Sequence, residues 1–211
     1  MLATCQGYLN HREELKVAAT DESHEDVLQF PLASISTPVL IDNIFYEFDR
    51  ADLTKASELE LDKLVALLNE NPHVTIELSS HCDYKGSAEY NKRLSQRRAE
   101  SVVNYLIAHG IAADRLTPMG YGKERPKKIK KKVAEKYPWL KVDDELTPDF
   151  IKALKNPEKE EICNSLNRRT EFTVLRTTYG LFDENGNLKA QPKPAKKPES
   201  SSDDVDFEFY E

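Results

Sequence analysis

No apolar run in this chain approaches the roughly twenty residues a membrane-spanning helix needs. Met1 to Asn10 has neither a basic n-region nor an apolar h-region, so no signal peptide is expected there. Leu2-Ala3-Thr4-Cys5 echoes a lipobox but lacks the apolar segment that should precede one. Only three cysteines are present, Cys5, Cys82 and Cys163, far apart and odd in number. They leave room for one bridge at most, including Cys82 with Cys163, and exclude a disulfide framework. There is no glycine-rich loop to cradle a phosphate. Nor is there a basic excess: the net charge is −7 with 32% charged residues, so neither nucleic acid nor direct insertion into an anionic membrane is indicated. At 211 residues and 39% hydrophobic, the chain can bury one medium core with small appendages.

One stretch organises the rest. Val74, Ile76 and Leu78 alternate with Thr75, Glu77 and Ser79, which predicts a strand. Gly86 allows a tight turn, Ser87 is a good N-cap, and the helix that follows is expected to end near His109, with Gly110 as its terminator. Its apolar row is Leu94, Val102 and Leu106, yet Arg98 falls in the same row and Asn91 lies one turn before Leu94. A guanidinium in an apolar row is costly unless an anion meets it, and Asp83 waits at the helix start. An Asp and an Arg at one strand–helix corner can grip a group that carries both an amine and a carboxylate.

Asp83-x-x-Gly86 followed by Asn91-x-x-Leu94-Ser95-x-x-Arg98-Ala99 resembles the signature of the OmpA-like peptidoglycan-binding domain, found in OmpA-type porins, Pal lipoproteins and MotB-type stators. Ile44-Phe45-Tyr46-Glu47-Phe48-Asp49 before it, and Gly120-Tyr121-Gly122 and Asn167-Arg168-Arg169-Thr170-Glu171-Phe172 after it, keep the family order over about residues 39–177. One departure is Cys82, where the family usually has Thr. The resemblance implies non-covalent binding of the peptidoglycan stem peptide through diaminopimelate, in the Gram-negative periplasm, by part of an outer-membrane-associated protein. The missing export signal fits a C-terminal portion of such a protein. By the same resemblance Asp83 meets the ligand ammonium and Arg98 its carboxylate, with Leu94 in the same motif and the loop around Tyr84 and Gly86 completing the pocket. Asn91 either orients the loop or donates to the ligand. Asp49 either lies near the pocket or caps the next turn. No cofactor and no metal are implied. The alternative is an envelope domain that keeps the fold for structure or for a protein partner, without glycan binding.

The remaining elements follow in order. Residues 1–38 read as a connector or as the remnant of a β-sandwich, similar at Gly7-Tyr8 to a carboxypeptidase-regulatory-like domain, with extended pieces at Cys5 to Leu9, Lys16 to Ala18 and Val27 to Leu32. A strand is expected over 41–49, then a helix capped by Thr54 or Ser57 that buries Leu61, Leu64, Val65 and Leu68 and stops at Asn71-Pro72. Arg115 to Met119 and Thr170 to Arg176 supply two more strands. The order strand-helix-strand-helix-strand-strand predicts a two-layer α/β domain over 39–178, a mixed sheet with helices on one face. Residues 123–166 interrupt it with a lysine run, read as a solvated loop or as a contact for acidic polymers, then short helices from Thr147-Pro148 and near Pro157. Residues 179–211 read as a hairpin turn at 182–188 and a disordered acidic tail, or a tail whose end adds a strand to a partner. Catalysis is disfavoured: His81, Cys82 and Asp83 resemble a triad in composition, but neighbouring strand residues point to opposite faces. His73, His81, Cys82 and Asp83 also lack metal-ligand spacing.

Overall fold

The computed structural model describes residues 1–12, 32–41, 44, 53–183 and 185–189. Strands β1 (Leu2–Ala3) and β2 (His11–Arg12) pair antiparallel. Cys5 to Leu9 turns rather than extends, with Gly7 at φ +85°, and only Tyr8 bridges to Ser34. Leu9 is buried in the main core, and Asn10 and Asn71 exchange two hydrogen bonds of 2.9 Å. Lys16 to Ala18, and all but Leu32 of Val27 to Leu32, lie outside the described residues.

Strand β3 is Val39–Ile41. Ile44 packs on the core without being in a strand, and the rest of the strand expected over 42–49 lies outside the described residues. Helix α1 (Lys55–Glu70) starts at Thr54, whose hydroxyl accepts the Ser57 N–H, and ends where Pro72 would forbid another turn. Strand β4 (Thr75–His81) and helix α2 (Ala88–Ala108) come next, with Ser87 as N-cap and Gly110 at φ +89° just past the end. Strand β5 runs Leu116–Gly122; Arg115, expected to open it, instead sits in a 3-10 turn and donates to the carbonyls of Leu68, Asn71 and Val74. Strand β6 is Arg169–Arg176.

These strands order β3-β6-β4-β5, with β4 and β5 parallel and the other pairs antiparallel. A parallel neighbour requires a crossover, and α2 provides it. Leu61, Leu64 and Leu68 of α1 and Val102 and Leu106 of α2 meet Ile76, Leu78, Leu116 and Phe172 on one side of the sheet. This is the expected mixed sheet with helices on one face.

Gly120-Tyr121-Gly122 is a strand segment rather than a turn. A Cβ on Gly120 would lie 2.2 Å from the Gln96 backbone nitrogen, so glycine is what lets α2 press onto β5. At that contact Gln96 Oε1 accepts the Gly120 N–H at 2.8 Å and Ser95 Oγ accepts the Gly122 N–H at 2.8 Å. Side chains of α2 thereby occupy backbone donors of a sheet edge.

The stretch from 123 to 167 builds a second, smaller core. Helices α3 (Lys131–Lys136), α4 (Pro148–Ala153) and α5 (Pro157–Asn167) surround Ile129, Leu140, Leu146, Ile151 and Cys163. Thr147 and Asn156 cap α4 and α5, and proline follows each cap. The lysine run is not a free loop. Ile129 in its middle is 1% exposed, and its N–H and C=O pair with Asp144 and Asp143. All three cysteines are free thiols. Among the described residues no helix is long and apolar enough to cross a membrane.

Met1–Tyr179 and Gly180–Glu211 form separate units. Within the second, Phe182 bridges Leu188 around Gly186 at φ +80°, and Asp183 Oδ1 accepts the N–H groups of Asn185 and Asn187. Residues 190–211, with the expected tail, lie outside the described residues.

Candidate functional site

The chain leaves β4 at His81 and turns sharply before α2. Asp83 Oδ1 accepts the Lys85 N–H at 2.9 Å, a local bond that competes with any extension of the strand. Gly86 follows at φ +84°. Asn91, one turn into α2, reaches back and donates Nδ2 to Lys85 O at 2.7 Å. Of the two roles open to Asn91, this helix-to-loop bond is the one formed here.

The loop and helix enclose a pocket of about 620 Å³ lined by Asp83, Gly86, Asn91, Leu94 and Arg98. Five of the seven residues singled out in the sequence are thus brought together. Arg98 is half-buried on the pocket side of α2, whereas Arg97 is exposed. Tyr84 is not on the pocket wall: its ring packs into the second core, with Lys152 Nζ 5.7 Å from its centroid. Its backbone carbonyl and that of Gly86 accept from Lys123 Nζ at 3.4 and 2.8 Å. Asp49 lies outside the described residues.

Sequence reading missed the rest of the wall. Cys82, Lys85, Tyr90, Glu161 and Arg168 also line the pocket. Arg168 donates Nη1 to Asp83 Oδ2 and Nη2 to Glu161 Oε1, each at 2.6 Å. Lys85 Nζ holds the other oxygen of Glu161 at 3.2 Å. The seven-residue spacing of Glu161 and Arg168, two turns on one helix face, was legible. Their meeting with Asp83, across 85 residues, was not. Hydrogen bonding from Arg168, then from Lys85, holds the Glu161 carboxyl below its ordinary range. Burial opposes the Arg168 charge, but the bonds to Glu161 and Asp83 outweigh it and the guanidinium pKa moves up.

A nucleophilic centre is not assembled. Cys82 Sγ turns to the Asn91 carbonyl at 3.6 Å, and burial pushes its thiol pKa up against the pull of Arg98. His81 points the other way and stacks on Tyr121 at 5.4 Å, beneath Arg125, 3.6 Å from the same ring. Among the described residues neither ring nitrogen of His81 has a hydrogen-bond partner; Glu171 Oε2 is 3.6 Å away, too far for one. Burial, and then the charges of Arg169, Arg125 and Lys127, lower the His81 pKa to about 3, so the ring is neutral.

Residues 45–137 match the OmpA family. The peptidoglycan-associated lipoprotein of Rhizobium meliloti is 33% identical over 85 residues, 40% of this chain and 48% of that protein. Outer membrane protein P5 of Haemophilus influenzae is 32% identical over 100 residues, 47% of this chain and 28% of that protein. The chain therefore spans about half the length of the first relative and less of the second. Among solved structures, the peptidoglycan-associated lipoprotein from Burkholderia pseudomallei aligns with a TM-score of 0.44 and 21% identity, over 62% of this chain and 87% of that one. These relatives bear the names of lipoproteins and outer-membrane proteins. By sequence, then, residues 45–137 are similar to the OmpA family.

Proposed function

We propose that this chain binds peptidoglycan non-covalently and anchors an outer-membrane or envelope protein to the cell wall in the periplasm of a Gram-negative bacterium. The ligand is the free amino-acid end of diaminopimelate in the stem peptide: its ammonium meets Asp83, its carboxylate meets Arg98, and its methylene chain lies along Leu94. The binding domain is 39–178, with 123–166 as an insertion, 1–38 as a connector and 179–211 as a tail. The observation that carries the reading is that Asp83 and Arg98 border one pocket, open to solvent and wide enough for an amino acid with part of its peptide. A carboxylate and a guanidinium across such a space match the two charges of a zwitterion.

Co-sedimentation with purified sacculi, with free meso-diaminopimelate as competitor, tests it. Binding that free diaminopimelate relieves is the expected result. Sedimentation that diaminopimelate leaves unchanged rejects the ligand assignment, and no sedimentation leaves the structural or partner-binding reading in its place.

A further inference from the structure

The Asp83 carboxylate is occupied before any ligand arrives. Its Oδ2 takes the Arg168 Nη1 proton at 2.6 Å, and a ligand ammonium has to share or replace that cation. A guanidinium facing a lone carboxylate normally closes on it as a two-pronged fork, covering both oxygens. Here the fork is split. Arg168 Nη2 goes instead to Glu161 Oε1 at 2.6 Å, so only one terminal nitrogen engages Asp83. Glu161 is held in place by Lys85 Nζ at 3.2 Å, from the same loop as Asp83. Among the described residues the second oxygen of Asp83, Oδ1, accepts only the Lys85 backbone N–H. A carboxylate oxygen accepts two hydrogen bonds, so Oδ1 keeps a lone pair for a ligand cation.

We propose that Glu161, supplied by the insertion, is the positioning residue that keeps the Asp83 pocket open to an ammonium group. It does so through Arg168: by taking one arm of the guanidinium it prevents the fork from closing on Asp83. Among the described residues the charges around the pocket are Asp83 and Glu161, with Lys85, Arg98 and Arg168. Without Glu161 both arms of Arg168 are free to close on Asp83, and the fork competes with a ligand cation for both oxygens. The insertion thus tunes the specificity of a site whose two proposed ligand contacts lie outside it. This inference rests on the ligand proposed above.

The test is titration calorimetry of the full chain with meso-diaminopimelate, for the wild type, Glu161→Gln, Glu161→Asp and the double variant Glu161→Gln/Arg168→Lys. Glu161→Gln is expected to weaken binding about tenfold, and Glu161→Asp much less. The double variant is expected to recover to within about threefold of wild type, because an ammonium is a point charge and cannot close a fork. That rescue separates positioning from mere structural loss, since a second change in a damaged pocket would not restore it. Wild-type binding with Glu161→Gln unaltered, or with no recovery in the double variant, overturns this inference and leaves the proposed function standing. A wild type that takes no diaminopimelate overturns both.

Discussion

The two hydrophobic clusters of this protein are built on different rules. The main one joins α1 and α2, of 16 and 21 residues, to a four-stranded sheet, and each element presents one regular apolar face. The one in the insertion is closed by helices of 6, 6 and 11 residues, with Ile129, Leu140 and Leu146 supplied from outside them. Helices this short are marginal on their own, so the insertion depends on its few packed side chains and its caps. The pocket loop joins the two: it begins at the end of β4 in the main domain, and its Tyr84 ring is part of the smaller core. The difference shows how an irregular segment can reach a corner of a regular domain, here through Glu161 and Arg168 to Asp83.

The sharpest break of that contrast is Gly120→Ala. Its Cβ would meet the Gln96 backbone at 2.2 Å, and a packed helix cannot withdraw locally. A loss of more than about 4 kcal/mol, read as failure to fold or a collapsed denaturant midpoint, is expected. An unchanged midpoint would mean that α2 is not seated on β5 as described. Next in size are two truncations compared directly. Leu106→Ala in the main core should cost about 2–5 kcal/mol globally. Ile151→Ala, equally buried, should instead lower hydrogen-exchange protection across 129–166 with a smaller shift of the global midpoint. Equal global losses would show one cooperative unit, and the contrast would be wrong.

Binding sharpens the picture at the shared corner. Asp83→Ala and Arg98→Ala should each weaken sacculus binding by about 2–5 kcal/mol with the fold retained, since each strands one ligand charge. Arg97→Ala, exposed one position round the helix, should bind normally. Loss in Arg97→Ala alone would put the wrong helix face at the pocket.

Acid sensitivity above the carboxylate range should belong to the main domain, because no histidine lies in 123–166. The His81 pKa is about 3 in the folded state, against about 6.5 in an unfolded chain. Between those values the unfolded chain binds one more proton, so stability rises with pH. The contribution is complete above about pH 6.5 and is lost as pH falls toward 3, with a slope near 1.4 kcal/mol per unit. His81→Gln should flatten that slope in denaturant midpoints taken between pH 6 and 4; an unchanged slope would assign the acid limb to carboxylates.

Local chemistry determined much of this protein without help from the fold. The alternation at 74–79, the caps Thr54, Ser87 and Thr147 and the stop at Gly110 act within a few residues of chain, and so they could be read from it. So could the row that puts Arg98 beside Leu94, because helical period alone places them together. Only the tertiary structure decided the rest. The need for glycine at 120 could not be read, because its reason, the Gln96 backbone, is 24 residues away. The lysine run looked like a solvated loop because one buried isoleucine among five lysines has no period to betray it. The loop that carries Tyr84 was legible, but the second core into which its ring packs was not. Arg168 reached Asp83 across 85 residues, a distance over which no sequence periodicity survives. A contact of that kind is set by how two separately folded surfaces meet, which is why Glu161 became visible as part of the site only in the folded chain.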